Sequence, residues 1–355
     1  MSVHAPATTP KLNFFTRHER LSLGLVNLFC LLLLLGVGEI AARISTNYEI
    51  GYYTEARAGR DGFLHYPWGV VPVNSHGYLD EEFNLNSSKK RVGWFGDSVA
   101  MGVGAGHPYR VSDLVRIQYG KLENWNFSRL GIGFDEQRAE SIAREFKLDH
   151  VVYLLNLNDI VPDAPPQSGS NYYFYNLLTF VKQHLDYFRD RSYLYNYIRT
   201  AVKNAIQRLG FEASGYYAFE LWPAQSDDVF KSFAQRVNAT ARNLHAQGVQ
   251  MCVLIAPYEM QVSADAARTY SDLGFKWEDG FVEGSAQQKL RRHLDRDLPV
   301  YDGLAAFPDK SGKVGGHFVY NAGDKIDWNH PNREGHAALA KGFIESESCP
   351  FLKNK

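Results

Sequence analysis

Apolar positions along the chain fall into three patterns, and each predicts a different element. The first is a continuous run. No charged side chain occurs from Leu21 to Gly38, the centre reads leucine from Leu31 to Leu35, and only Ser22 and Asn27 interrupt it with polar groups. At about 1.5 Å per helical residue, this run, extended to Ile44 with Glu39 at the interface, nearly spans the roughly 30 Å of a bilayer's hydrocarbon. A buried core helix would keep a polar face, and none is seen here. A cleaved signal peptide would have a shorter apolar centre and a small-residue cleavage site, where this chain has Glu39-Ile-Ala-Ala-Arg43. A retained membrane segment at 21–44 is therefore expected. Lys11, Arg17 and Arg20 precede it, against Arg43 and Arg57 after it, which places residues 1–20 in the cytoplasm and the remainder outside.

The second pattern is the short apolar run. Arg91–Phe95, Leu122–Phe127, His150–Asn156, Val249–Pro257 and Leu298–Asp302 are short, and several are near-continuous in Val, Leu and Ile, as strands buried on both faces are. Between them lies the third, helical pattern, at Phe134–Lys147, Ser226–Gln247 and Arg333–Ser346. Ser226 is a suitable N-cap, with Asp227 and Asp228 favourably placed in the first turn. Alternating strand and helix predicts a parallel sheet covered on both faces. An irregular extension is expected at 45–90, followed by the main domain at 91–355. The long gap between the third and fourth strands predicts a helical insertion at about 160–225, with Tyr-rich stretches at Asn171–Arg189 and Ser192–Leu209. Such an aromatic stripe is expected to be the buried face of a cap. A glycan-binding or bilayer-resting surface is the alternative.

Composition narrows the function classes. A net charge of −1, with no long Lys/Arg block, gives no basis for neutralising phosphates, so no nucleic-acid partner is expected. Three cysteines without a CxxC spacing argue against a zinc or thioredoxin-like site, and the expected metal set is empty. Cys30 lies in the apolar run. Cys252 and Cys349 are expected as two isolated thiols, with a disulfide as the alternative outside the cytoplasm. His336 lies six residues beyond His330, with no HxxxH or HExxH pattern around either.

Candidate chemistry gathers at the predicted strand ends. Gly96-Asp97-Ser98 follows the first strand, so the hydroxyl would project from the C-terminal edge of the sheet, where open α/β sheets bind ligands. Serine needs a base, and histidine has a suitable pKa. His330 lies in Asp327-Trp-Asn-His-Pro-Asn332, with Asp327 three residues earlier to orient the ring. Taken alone, that segment also reads as a surface turn capping the last helix, with Pro331 near its start. Gly131 after the second strand and Asn158 after the third could supply oxyanion donors, worth about 3–4 kcal/mol each in serine hydrolases. Either could instead serve a turn or a helix cap.

The order Gly-Asp-Ser98, Gly131, Asn158-Asp159, Asp327-x-x-His330 resembles the SGNH/GDSL hydrolase superfamily. The resemblance implies a flavodoxin-like three-layer α/β/α fold (the SGNH hydrolase fold) with a parallel sheet. It also implies Ser98 as nucleophile, His330 as base and Asp327 as its orienting carboxylate. The oxyanion hole would be the Ser98 and Gly131 N–H groups with the Asn158 amide, and no cofactor is called for. Asn74-Ser-His-Gly-Tyr-Leu-Asp80 and the ending through Gly335-His336 resemble membrane-anchored members, so the likeness runs from about residue 65 to the C-terminus, the insertion apart. One position departs: the third block is ordinarily Gly-x-Asn-Asp, and Asn156 stands in the glycine's place. The resemblance implies a membrane-anchored esterase acting outside the cytoplasm on an acylated glycan or other ester. An O-acyltransferase, which in some relatives works beside a membrane-bound acyltransferase, is one alternative. A non-catalytic assembly or glycan-binding subunit is the other.

Overall fold

The computed structural model describes residues 18–45, 57–58, 62–66, 69–160, 227–272, 277–319 and 327–353, together with residue 275 and several positions from 188 to 202. Helix α1 (Glu19–Ser45) is continuous over 27 residues. Its most apolar window has a mean hydropathy of 2.4, and none of that window is buried within the protein. By length and composition it is able to cross a membrane.

Three short strands follow, β1 (Arg57–Ala58), β2 (Phe63–Tyr66) and β3 (Gly69–Pro72), paired antiparallel in that order. The stretch read as irregular from 45 to 90 thus carries a small sheet. Its strands are too short for an alternating pattern to register in the sequence.

The main sheet is built from β4 (Lys90–Phe95), β5 (Leu122–Asn126), β6 (His150–Asn156), β7 (Gln250–Ala256) and β8 (Val300–Asp302). All neighbours are parallel, in the order β5-β4-β6-β7-β8. This is the flavodoxin-like 2-1-3-4-5 order, whose switch point lies between the first and third strands of the sheet, here β4 and β6. The period of two along each strand divides the core. Val151, Tyr153 and Leu155 face one cluster with Val253 and Ile255. Val152 and Leu154 face the other, with Cys252 and Leu254.

Helices cover both faces. In chain order they are α2 (Ser98–Met101), α3 (Val111–Gln118), α4 (Glu136–Glu145), α5 (Asp227–Ala246), α6 (Glu259–Val262), α7 (Ala264–Asp272), α8 (Ser285–His293) and α9 (Arg333–Ser346). Ile142 of α4, Phe230 and Leu244 of α5 and Leu290 of α8 fill the first cluster. Val115 of α3 with Leu339 and Phe343 of α9 fills the second. The result is a three-layer α/β/α domain.

One further expectation is revised. Cys252 and Cys349 are not separate thiols: they form a disulfide across a sequence separation of 97, with Cα atoms 5.8 Å apart. Cys252 points from β7 toward the face covered by α9, and the chain leaving α9 brings Cys349 back over it. Helix α2, which Ser98 opens, is a single turn, because Gly102 adopts φ 91° and bonds back to the Ser98 and Val99 carbonyls. Most of the predicted insertion, including 171–187 and 203–209, lies outside the described residues. Residues 193–195, 197–198 and 201–202 are helical.

Candidate active site

The turn after β4 sets the position of Ser98. Gly96 has φ 145°, and a Cβ there would lie 2.4 Å from the Leu154 carbonyl oxygen, so the backbone passes β6 at a distance only glycine permits. Asp97 then caps α2, its Oδ1 accepting from the Val99 N–H at 2.9 Å. Ser98 follows with its side chain 8 % exposed.

Behind this turn a buried ionic cluster fixes the backbone. Arg110 is fully buried and donates to Asp80 at 2.7 Å, to Asp113 at 2.7 and 2.8 Å, and to the Leu79 carbonyl at 2.6 Å. Gly102 makes room for it, since a Cβ there would be 2.2 Å from Arg110 Cγ. Asp80 Oδ2 accepts from the Asn126 N–H, and the Asn126 amide donates to the Ala100 carbonyl within α2 at 2.9 Å. Asp113 is held well below the usual carboxylate range by the guanidinium beside it, despite its burial. His107 joins Asp80 and Asp113 with ligand-type atoms within 4.8 Å of one another, but the guanidinium already bonds both carboxylates. The cluster therefore reads as structural.

His330 and Asp327 arrive from the loop before α9. His330 Nε2 is 2.8 Å from Ser98 Oγ, and Nδ1 is 2.8 and 2.9 Å from the two Asp327 oxygens. Asp327 Oδ1 also accepts the His330 N–H at 3.1 Å, so one carboxylate sets both ring and backbone. With the proton on Nδ1 facing Asp327, Nε2 is left to accept from the serine hydroxyl. The loop is clamped from outside. Val319 N–H donates to the His330 carbonyl at 2.9 Å, and the Asn332 side chain caps α9 through Gly335 N–H at 3.0 Å. The helix cap and the Asp–His pair, read from the sequence as alternatives, coexist in adjacent residues.

Asn158 lies in the 3-10 turn Leu157–Ile160 that ends β6. Burial raises the Asp97 pKa, against the Val99 N–H and the Asn158 side chain, which both favour the carboxylate. Asp97 Oδ2 is also 3.4 Å from Ser98 Oγ. This linking role was missed at the level of sequence, although the residue stands inside the tripeptide that drew attention to the site. Gly131 is exposed at φ 70° in a turn closed by Ile132 N–H to the Arg129 carbonyl, and Arg129 N–H donates to the Gly96 carbonyl, two residues from Ser98. The described residues offer the Gly131 N–H no hydrogen-bond acceptor.

Asn156 is fully buried, and neither its Oδ1 nor its Nδ2 finds a partner among the described residues. It makes no bond to the Ser98 loop. Beside it, Asp159 accepts from the Tyr153 hydroxyl at 2.8 Å and the Asn156 N–H at 3.1 Å; burial and the nearby Asp97 push its carboxyl well up. His336 is buried below α3, where Nδ1 accepts from Val111 N–H at 3.3 Å, and burial depresses its pKa to about 3.

No protein-family model matches the chain, and no curated protein matches it by sequence. The chain is similar to several solved structures. The crystal structure of TesA is 12% identical with a TM-score of 0.33, covering 73% of this chain and 98% of that one. A GDSL-like lipase from Bacteroides ovatus ATCC 8483 is 14% identical with a TM-score of 0.37, covering 75% and 55%. The salicylyl-acyltransferase SsfX3 from a tetracycline biosynthetic pathway is 14% identical with a TM-score of 0.37, covering 78% and 59%. What this chain can do chemically is set by the geometry of its own site.

Proposed function

We propose that this chain is a serine acyl-transfer enzyme of the SGNH/GDSL type, held to a membrane by α1, that removes acyl groups from a glycan outside the cytoplasm. One observation carries the chemistry: the continuous chain of hydrogen bonds from Asp327 through His330 to Ser98. Ser98 Oγ attacks the ester carbonyl as its proton passes to His330 Nε2. The imidazolium is stabilised by Asp327 and returns that proton to the departing alcohol, leaving an acyl-serine. A second acceptor, deprotonated by His330, then takes the acyl group and frees Ser98. The Ser98 and Gly131 N–H groups and the Asn158 amide are the proposed donors to the oxyanion. Asp97 holds Asn158 and the serine turn together.

Water as acceptor gives an esterase, and a sugar hydroxyl gives an O-acyltransferase. The near-complete burial of Ser98, His330 and Asp327 keeps the transferase reading in play, because it limits access of bulk water. In that reading a membrane-bound acyltransferase is the proposed partner. The Cys252–Cys349 disulfide supports an oxidising compartment, and the unburied apolar face of α1 supports a membrane anchor.

The test is labelling of the full-length protein with a fluorophosphonate probe, beside Ser98→Ala. Labelling and acetyl-ester turnover that both depend on Ser98 are expected. Absence of both sinks the catalytic reading. Adding an oligosaccharide acceptor and following the acetyl group by mass spectrometry then separates transfer to sugar from release into water.

A further inference from the structure

At its C-terminal end, α1 is fastened to a second helical piece. The Glu39 carboxylate accepts from Ser192 Oγ at 2.8 Å, from Tyr193 N–H at 3.1 Å and from Leu194 N–H at 3.0 Å, capping the turn that begins there. Ser192 Oγ in turn accepts from Tyr195 N–H at 3.0 Å. Arg43 donates to Glu39 at 2.8 Å, and its guanidinium lies 5.1 Å from the centre of the Tyr193 ring. The contact is close, because a Cβ at Gly38 would meet Leu194 Cδ2 at 3.0 Å. The one acid near the end of the apolar helix therefore serves as a fastening point.

That point has a definite depth. Glu39 is about 27 Å along the helix axis from Leu21, near the edge of a hydrocarbon layer of about 30 Å. The turn capped by Glu39 thus lies level with the interface. Ser192 to Leu194 face α1, whereas the helical residues Tyr197, Ile198 and Val202 are 62%, 50% and 52% exposed. Val37, Ile40 and Ile44 of α1, on either side of Glu39, are likewise exposed.

We propose that the exposed helical residues Tyr197, Ile198 and Val202 rest on the bilayer leaflet next to the outer domain, in the boundary between headgroups and acyl chains. The inference rests on α1 spanning the membrane. Tyrosine suits this depth, with its ring in the apolar boundary and its hydroxyl among the headgroups. Two attachments, one crossing and one lying in the plane, hold the end of α1 at one depth and one rotation in the membrane.

Cys30 is a free cysteine within α1, which supplies an internal control. Nitroxide labels are placed on Cys30 of the full-length protein and, with Cys30→Ser, on Ile198→Cys and Ile117→Cys. Each is reconstituted in nanodiscs of phosphatidylcholine and phosphatidylglycerol. Collisional relaxation by oxygen, which enters lipid, is compared with that by a water-soluble nickel chelate. Expected are oxygen-to-nickel ratios severalfold higher at Ile198→Cys than at the exposed α3 position Ile117→Cys, and higher still at Cys30. A ratio at Ile198→Cys equal to that at Ile117→Cys, with Cys30 still in lipid, overturns this inference alone. Shielding of Ile198→Cys from both reagents with spin–spin broadening places a second copy there and also overturns it. Nickel access at Cys30 removes the anchor and this inference together.

Discussion

Glu259 offers a test of how the Asp327–His330 loop is held. It opens α6 immediately after β7 and is almost wholly buried. Its N–H donates to the Trp328 carbonyl at 2.7 Å, and its carboxylate accepts from the Tyr270 hydroxyl and the Gly315 N–H. Burial, aided by the charges of Asp327 and Asp265 and opposed by those two hydrogen bonds, pushes its pKa from 4.5 up to about 7. The folded state therefore binds this proton more tightly than the unfolded one. The resulting stabilisation is fully present below pH 4.5 and is lost as pH rises through 7. A shift of that size corresponds to about 3 kcal/mol at its limit, and to about 2.5 kcal/mol between pH 5 and pH 8. Glu259→Gln mimics the protonated form. Its carbonyl can accept from Gly315 and its amide can donate to Tyr270, whose own hydroxyl hydrogen then turns to the Asp327 carbonyl, 3.4 Å away. Buried His150 and His336, depressed to about 4 and about 3, give the opposite slope at lower pH, so the difference between wild type and variant is the quantity to follow. Melting temperatures across pH 5–8 should show wild type losing about 5–10 °C relative to Glu259→Gln. Parallel profiles, with a constant gap between the two proteins, would refute the reasoning.

Replacing Cys252 and Cys349 by alanine frees a loop of 97 residues and costs about 4.7 kcal/mol on the chain-entropy account, read as a fall of about 10 °C or more in thermal unfolding. Arg110→Met leaves buried Asp80 and Asp113 with only the outlying Arg116 guanidinium, 3.5 and 3.2 Å away, and denaturant titration should show a loss of about 3 kcal/mol. Asp327→Asn removes the acceptor that sets the His330 tautomer. It is expected to lower kcat on the order of 10⁴-fold with little change in KM, as steady-state kinetics on an acetyl ester would register.

Legibility in the sequence tracks the length and apolarity of each signal. β6 and β7 are buried on nearly every position, so their runs of Val, Leu and Ile stood out and their ends fell within a residue or two. Ser98, Asp327 and His330 could be singled out by residue type and order alone, and the structure brings the three side chains within hydrogen-bonding distance. α8 was not: of Ser285–His293, only Ala286, Gln287 and Leu290 are buried, too few to mark an apolar face. The Asp80–Arg110–Asp113 cluster left no spacing to find, since Arg110 and Asp80 are 30 residues apart and meet through tertiary folding. The Cys252–Cys349 pair was ambiguous for a related reason. Sequence separation says nothing of which sheet face Cys252 occupies, and that face decides the pairing.

Ser98 and His330 lie 232 residues apart, just after the first strand of the main sheet and just before its last helix. Synthesis from the N-terminus therefore makes the serine long before the histidine and the aspartate that it meets in the folded chain. Through the making of β4 to β8, the serine is an ordinary alcohol. The hydrogen-bonded chain from Asp327 to Ser98 is completed only when the 327–330 loop closes over the sheet edge. On the proposed function, such a chain is chemically silent until nearly all of it has been made.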